Sequence, residues 1–301
     1  MSDLHVEFGA SARTALCDAF ASAHRSIEAQ FYSVGDASVI SALNSAARRG
    51  VDVTVYVEGD RDRYRHKGEH VPIDRHVRKA FERYDQLLDR RIHVVAEADQ
   101  QVLEHAKAAV IDSARAFIST ANLNASGFGQ PGDVLVEDHD ARDVAAIRAS
   151  INGEASQSSR VVAGPDVSAR GRIASLLDAP TDEHIAIEGL SDLAVVGTLL
   201  ARRRLGMHDE VLVNTKGARP SELLHILAAS DVAVRTLRGS YLHDKYIDAG
   251  DRIYSGSANL SLNGLEESRE IGILAAPADF DDGAASLRAD FDRMWSQAEP
   301  L

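Results

Sequence analysis

One cysteine, Cys17, stands among 301 residues. A single thiol closes no internal disulfide and builds no thiolate metal site, so a disulfide scaffold and a zinc ribbon are both excluded. Lying in a helical stretch, Cys17 reads as a small buried apolar residue. Long apolar runs are missing too: nothing approaches the roughly 18 residues that cross a bilayer. The start, MSDLHVEFGASARTALCDAF, has no basic segment followed by an apolar run. No secretory signal is therefore expected, and a cytoplasmic protein is the default reading. Aromatic residues amount to 5%, and no amphipathic stretch shows a bulky apolar face, which leaves little to grip a membrane surface. Positive charge is in deficit as well. With 33 Lys and Arg against 46 Asp and Glu, the net charge is -13, which speaks against a general coat for nucleic acid or anionic lipid.

What remains is globular: 45% apolar and 26% charged. SIEAQFYS (26–33) alternates as a strand does, and DASVISALNSAARRG (36–50) reads as a helix capped by Asp36 and stopped by Gly50. VDVTVYVE and RIHVVAE read as further strands. After residue 165 the order returns: helix SARGRIASLLDAP, strand EHIAIEG, helix DLAVVGTLLARRRLG, strand DEVLVN, helix SELLHILAAS, strand DVAVRTL. The polar NGEASQSSR (152–160) separates the two runs. The chain thus reads as a duplication, with a first unit over 1–151, a linker over 152–165 and a second unit over 166–301. Each unit is expected to be an α/β sheet, mostly parallel or mixed, flanked by helices.

One segment runs against the acidic background. Residues 61–91 hold ten Arg or Lys, six Asp or Glu, three His and two Tyr. It reads as a solvated helix near 74–89, or as a basic flap beside a site that handles phosphates. The flap reading puts Arg61, Arg63, Arg65 and Lys67 on substrate, with Tyr64 able to stack on a base. His66, His70 and His76 read as surface residues.

Two phrases recur about 140 residues apart. EHAKAAVID (104–112) is followed by ISTANLNASG (118–127), and LHDKYIDAGD (242–251) by SGSANLSLNG (255–264). His105 and Lys107 are two apart, as are His243 and Lys245, so on a strand each imidazole and ammonium project from one face. Asn122 follows His105 by 17 residues and Asn259 follows His243 by 16. The chain has only five lysines and 12 histidines, so chance predicts about 0.2 His-x-Lys pairs. In a chain that otherwise uses arginine, lysine marks places where a compact point charge suits a phosphate oxygen. Asp133 lies eleven residues after Asn122 and Glu270 eleven after Asn259. Gln30 and Glu188 hold matching places on the first strand of each repeat and read as cleft-lining or as satisfied strand residues.

With these residues the chain resembles the phospholipase D superfamily, whose signature is His-x-Lys, four residues, Asp, six residues, a small pair and a nearby Asn. His105, Lys107, Asp112, Ser119, Thr120 and Asn122 fit it fully; His243, Lys245, Gly256, Ser257 and Asn259 fit in the second unit. The second motif has Gly250 where the aspartate is expected. By strand parity Asp112 and its stand-in Asp248 face away from the His-Lys pairs and read as structural braces. The resemblance implies two duplicated units about a pseudo-twofold axis, so that a monomer carries a site like that of a dimer. It implies that Lys107, Lys245, Asn122 and Asn259 hold phosphodiester oxygens, with Ser119, Thr120 and Ser257 close to the ligand. It makes His105 the nucleophile that forms a phosphohistidine and His243 the acid and base, an order open to reversal. It gives Glu270 to His105 and Asp133 to His243 as orienting acids from the opposite unit. No metal and no cofactor are expected, because two lysines bring the charge a metal would supply. Nucleic acid is the favoured substrate. Phospholipid, through hydrolysis or phosphatidyl transfer, is the alternative, and an inactive nucleic-acid-binding subunit is a further one.

Overall fold

Asp36 and Asp192 show the duplication at its simplest. Each caps a helix through its carboxylate: Asp36 accepts from Ser38 and Val39 N–H (2.9 and 3.2 Å), and Asp192 from Ala194 and Val195 N–H (3.0 Å each). The computed structural model describes residues 3–59, 83–97, 102–124, 126–155, 158–165, 167–216 and 221–301. The basic positions Arg61, Arg63, Arg65 and Lys67, with Tyr64, His66, His70 and His76, lie outside the described residues.

The first half contains strands β1 (Leu4–Phe8), β2 (Ser26–Phe31), β3 (Asp52–Glu58), β4 (His93–Glu97), β5 (Leu103–Glu104), β6 (Lys107–Ile111), β7 (Arg115–Ser119) and β8 (Val134–Asp138). Among its helices are α1 (Gly9–Ser22), α2 (Ala37–Arg48) and α3 (Ala141–Ile151). The second contains β9 (Val161–Ala163), β10 (His184–Ile187), β11 (Glu210–Val213), β12 (Ala233–Thr236), β13 (Lys245–Asp248), β14 (Ile253–Gly256), β15 (Ser268–Arg269), β16 (Ile271–Ala275) and β17 (Glu299–Pro300). Its helices are α4 (Val167–Ala174), α5 (Leu193–Arg204), α6 (Glu222–Ala229) and α7 (Gly283–Gln297).

The two sheets have the same order. One runs β1-β8-β7-β6-β2-β3-β4; the other, read from its far edge, runs β9-β16-β14-β13-β10-β11-β12, with β17 added. Both are mixed. Parallel pairing is confined to β2-β3-β4 and β10-β11-β12, where helices cross over, and the remaining pairs are antiparallel. Val161–Ala163, inside the stretch read as a linker, is the edge strand that pairs with β16. Helices α1 and α2 cover the outer face of the first sheet and α4 to α6 that of the second. Between the sheets, Val144, Ile147 and Ile151 of α3 and Leu287, Phe291 and Met294 of α7 share one core with inward residues of both. That shared core fixes the two halves face to face. Cys17 is half-buried on α1, not fully enclosed.

Candidate active site

The site begins with backbone. His105 N–H donates to Arg269 C=O (3.1 Å), and His243 N–H donates to Pro131 C=O (3.1 Å). Beside the first of these, β5 pairs with β15 across the halves. Each clamp holds one histidine loop against the other half, close to an acid. Glu270 follows Arg269, and its Oε1 lies 2.8 Å from His105 Nδ1. Asp133 is two residues beyond Pro131, and its Oδ1 lies 3.1 Å from His243 Nδ1. Gly132 sits between them at φ +78°, and a side chain there would strike Asp244. A carboxylate at Nδ1 fixes that nitrogen as the N–H donor and leaves the Nε2 lone pair facing the cavity.

The lysines open β6 and β13, two residues after the histidines, and both are fully buried. Lys107 Nζ donates to His105 C=O (2.7 Å) and lies 3.2 Å from His105 Nε2. Burial, only partly answered by Glu270 and reinforced by the Lys245 charge, brings the Lys107 ammonium down to about 7. Lys245 Nζ donates to His243 C=O (3.0 Å) and pairs with Glu188 Oε2 at 2.7 Å. Burial and then Lys245 push the His243 pKa below its ordinary value, against the pull of Asp133 and Glu188. The halves enclose a cavity of about 640 Å³ lined by both histidines, both asparagines, Glu188 and Tyr241 among others. Leu103 is the one aliphatic side chain among the described residues that line it.

Several expected contacts lie elsewhere. Ser119, Thr120 and Ser257 are buried and do not touch the cavity. Their hydroxyls bond backbone across the sheet: Ser119 donates to Val134 C=O (3.2 Å), Thr120 to Gly132 C=O (2.9 Å) and Ser257 to Ile271 C=O (3.2 Å). Gln30 is buried too, and turns its amide to Glu104 Oε2 at 2.6 Å. Asp112 is a turn residue at φ +55°, not a strand residue. Its carboxylate accepts from the N–H groups of His24, Arg25 and Ser26 at 3.0, 2.7 and 2.9 Å, tying the β6–β7 turn to the start of β2. Asp248 ends β13 and binds the Arg288 guanidinium of α7 (2.6 and 3.1 Å). The second hairpin is a residue shorter because its strands pair over one rung fewer while its turn is one residue longer.

Residues that the sequence reading passed over also shape the site. Tyr241 donates to Glu188 Oε1, and Tyr32 meets the His105 ring edge-on at 5.9 Å. Gly127 and Gly264 each lie five residues after a motif asparagine. A side chain at either would collide with the backbone of Asn122 or Asn259. The signal was the shared glycine that ends both ANL phrases.

No curated protein matches the chain. The family model described as cardiolipin synthase, phospholipase D-like domain, matches residues 16–153. Among solved structures, the phosphatidylserine synthase of Haemophilus influenzae is 14% identical; the match covers 99% of this chain and 87% of that one, with a TM-score of 0.75. The polyphosphate kinase of Porphyromonas gingivalis is 19% identical over 94% of this chain, which spans 44% of the kinase, with a TM-score of 0.64. NucT of Helicobacter pylori is 17% identical over 50% of this chain and 95% of its own, with a TM-score of 0.39. The first two are likenesses of fold. The family match places a phospholipase D-like domain over residues 16–153, and the same strand order and the same motif recur in the second half.

Proposed function

We propose that the protein is a metal-independent phosphodiesterase, working through a phosphohistidine, with nucleic acid as its substrate. One observation carries the reading: two imidazoles, each held at Nδ1 by a carboxylate of the opposite half and each beside a buried lysine, share one polar cavity. His105 Nε2 attacks phosphorus as the bond to the leaving oxygen breaks. His243, protonated once the anion is bound, gives its proton to that oxygen. Water then attacks the phosphohistidine, His243 takes the water proton, and the N–P bond breaks to restore His105. Lys107, Lys245, Asn122 and Asn259 stabilise charge that grows on the nonbridging oxygens. The lysines supply the positive charge, so no step requires a metal. The polar cavity suits a sugar-phosphate chain. Arg61, Arg63, Arg65 and Lys67 would bring the positive charge that an acidic chain needs to hold a polyanion.

The whole-chain fold likeness to a phosphatidylserine synthase favours a second reading, transfer or hydrolysis at a phospholipid head group. A panel of single-stranded DNA, duplex DNA, RNA and phosphatidylcholine vesicles, assayed in excess chelator, separates them. Nucleic acid is expected to be cut, with magnesium helping little. Head-group release without nucleic-acid cutting would install the second reading. Activity lost to chelator and restored by one metal would contradict the mechanism.

A further inference from the structure

The two motifs are not equivalent at their phosphate-facing ends. In the second, Glu188 Oε2 accepts from both Lys245 Nζ (2.7 Å) and Asn259 Nδ2 (3.3 Å), with His243 Nε2 3.9 Å away. Three groups that would face a phosphoryl oxygen thus converge on one carboxylate oxygen of the protein itself. Glu188 Oε1 accepts from Tyr241, and Asn259 Oδ1 accepts from Gly189 N–H (2.9 Å), so both side chains are anchored. In the first motif no carboxylate among the described residues bonds Lys107, which donates to His105 C=O. Phe31 and Ile187 are the residues that pair with the two motif lysines, so the residue matching Glu188 is Tyr32, while the Asn122 amide oxygen finds no hydrogen-bond partner.

Resting on the phosphodiesterase reading above, we propose that Glu188 is a specificity-determining residue. Its carboxylate fills the seat of a phosphoryl oxygen in the empty site and selects monoanionic phosphodiesters over dianionic phosphomonoesters and inorganic phosphate. An incoming oxygen has to take Lys245 and Asn259 from Oε2. A monoanion makes that exchange charge for charge. A dianion brings a second charge into a site where Lys107 and Lys245 already face Asp133, Glu188 and Glu270. Although burial alone would favour its neutral form, Lys245 and His243 hold Glu188 well below the ordinary carboxylate range, so it stays charged while the seat is empty. Hydrolysis makes a phosphomonoester, whose second ionisation lies near pH 6. Glu188 therefore recovers its seat as the product leaves.

The test compares wild type with Glu188→Gln, which keeps the shape and removes the charge, and with Tyr241→Phe, which loosens the carboxylate. Calorimetry measures inorganic phosphate binding without turnover, and steady-state kinetics give KM for bis-nitrophenyl phosphate. Phosphate is expected to bind about tenfold tighter to Glu188→Gln and about threefold tighter to Tyr241→Phe, while diester KM moves less than about threefold. Equal phosphate affinity in all three proteins overturns the proposal, as does an equal gain for diester and phosphate, which a plain counter-ion for Lys245 would give. Tighter phosphate binding without turnover of any diester leaves the exclusion of dianions supported and overturns the phosphodiesterase reading.

Discussion

Replacing Lys107 with methionine is expected to cut turnover by about 10³-fold and to raise the melting temperature in the same protein. The lost activity follows from removing a fixed cation beside His105 Nε2, where charge grows in the transition state. The gained stability follows from burial. An unfolded lysine keeps its proton up to about pH 10.4, whereas burial brings Lys107 down to about 7 in the folded chain. Between these values the unfolded state binds more protons, so wild-type stability climbs with pH. Below the lower value the folded protein carries the whole cost of a buried ammonium. Methionine, unbranched and apolar, fills the same channel without that cost. Its advantage is therefore largest near about pH 6 and fades toward about pH 10. Thermal unfolding across that range checks it, with a gain of about 2–4 °C for each kcal/mol recovered. A lower melting temperature at the acid end would contradict the burial account. The same proton gives wild type a falling limb in kcat/KM above about 7, because an uncharged Lys107 holds no phosphoryl oxygen. His243, lowered by burial and then by Lys245, has to be protonated for the first step and steepens that limb.

Glu270→Gln is expected to lower kcat for a nitrophenyl diester by roughly 10²–10⁴-fold with little change in KM. The carboxylate oxygen 2.8 Å from His105 Nδ1 accepts a proton bond and keeps the lone pair on Nε2. An amide in its place is able to donate to Nδ1, which moves the imidazole proton to Nε2 and blocks attack. Shape and burial change little, so a KM effect as large as the kcat effect would point to substrate binding. A loss under about fivefold would remove Glu270 from the mechanism.

The sequence carried the skeleton of the site and little of its accounting. The His-x-Lys-to-Asn spacings were legible because strand alternation and hairpin length are local properties. The helix stops were legible for the same reason: Asp36 and Gly50 bracket α2 as read. The LHVEF alternation at 4–8 was there to be read as a strand, but its partner, β8, lies some 130 residues on. The hydroxyls of Ser119, Thr120 and Ser257 were misplaced because their acceptors lie on strands brought alongside only by the fold. Gln30 and Glu188 read as one strand position in two repeats, but Phe31 and Ile187 are the residues that pair with Lys107 and Lys245, so Glu188 matches Tyr32 and Gln30 matches Ala186. Glu104 precedes His105 and takes the Gln30 amide, while Glu188, one residue beyond β10, pairs with Lys245. Asp112 was given strand parity because its left-handed turn has no signature in EHAKAAVID.

Trapping the covalent intermediate tests the central claim most directly. His243→Ala and His105→Ala are each mixed with a nitrophenyl phosphodiester, whose leaving group needs little protonation, then quenched and mapped by mass spectrometry. The two-step account predicts an acid-labile, base-stable phosphoryl group on His105 in the His243→Ala protein, and none in the His105→Ala protein. An adduct on His243 alone, or no adduct in either variant while wild type turns over, would contradict it.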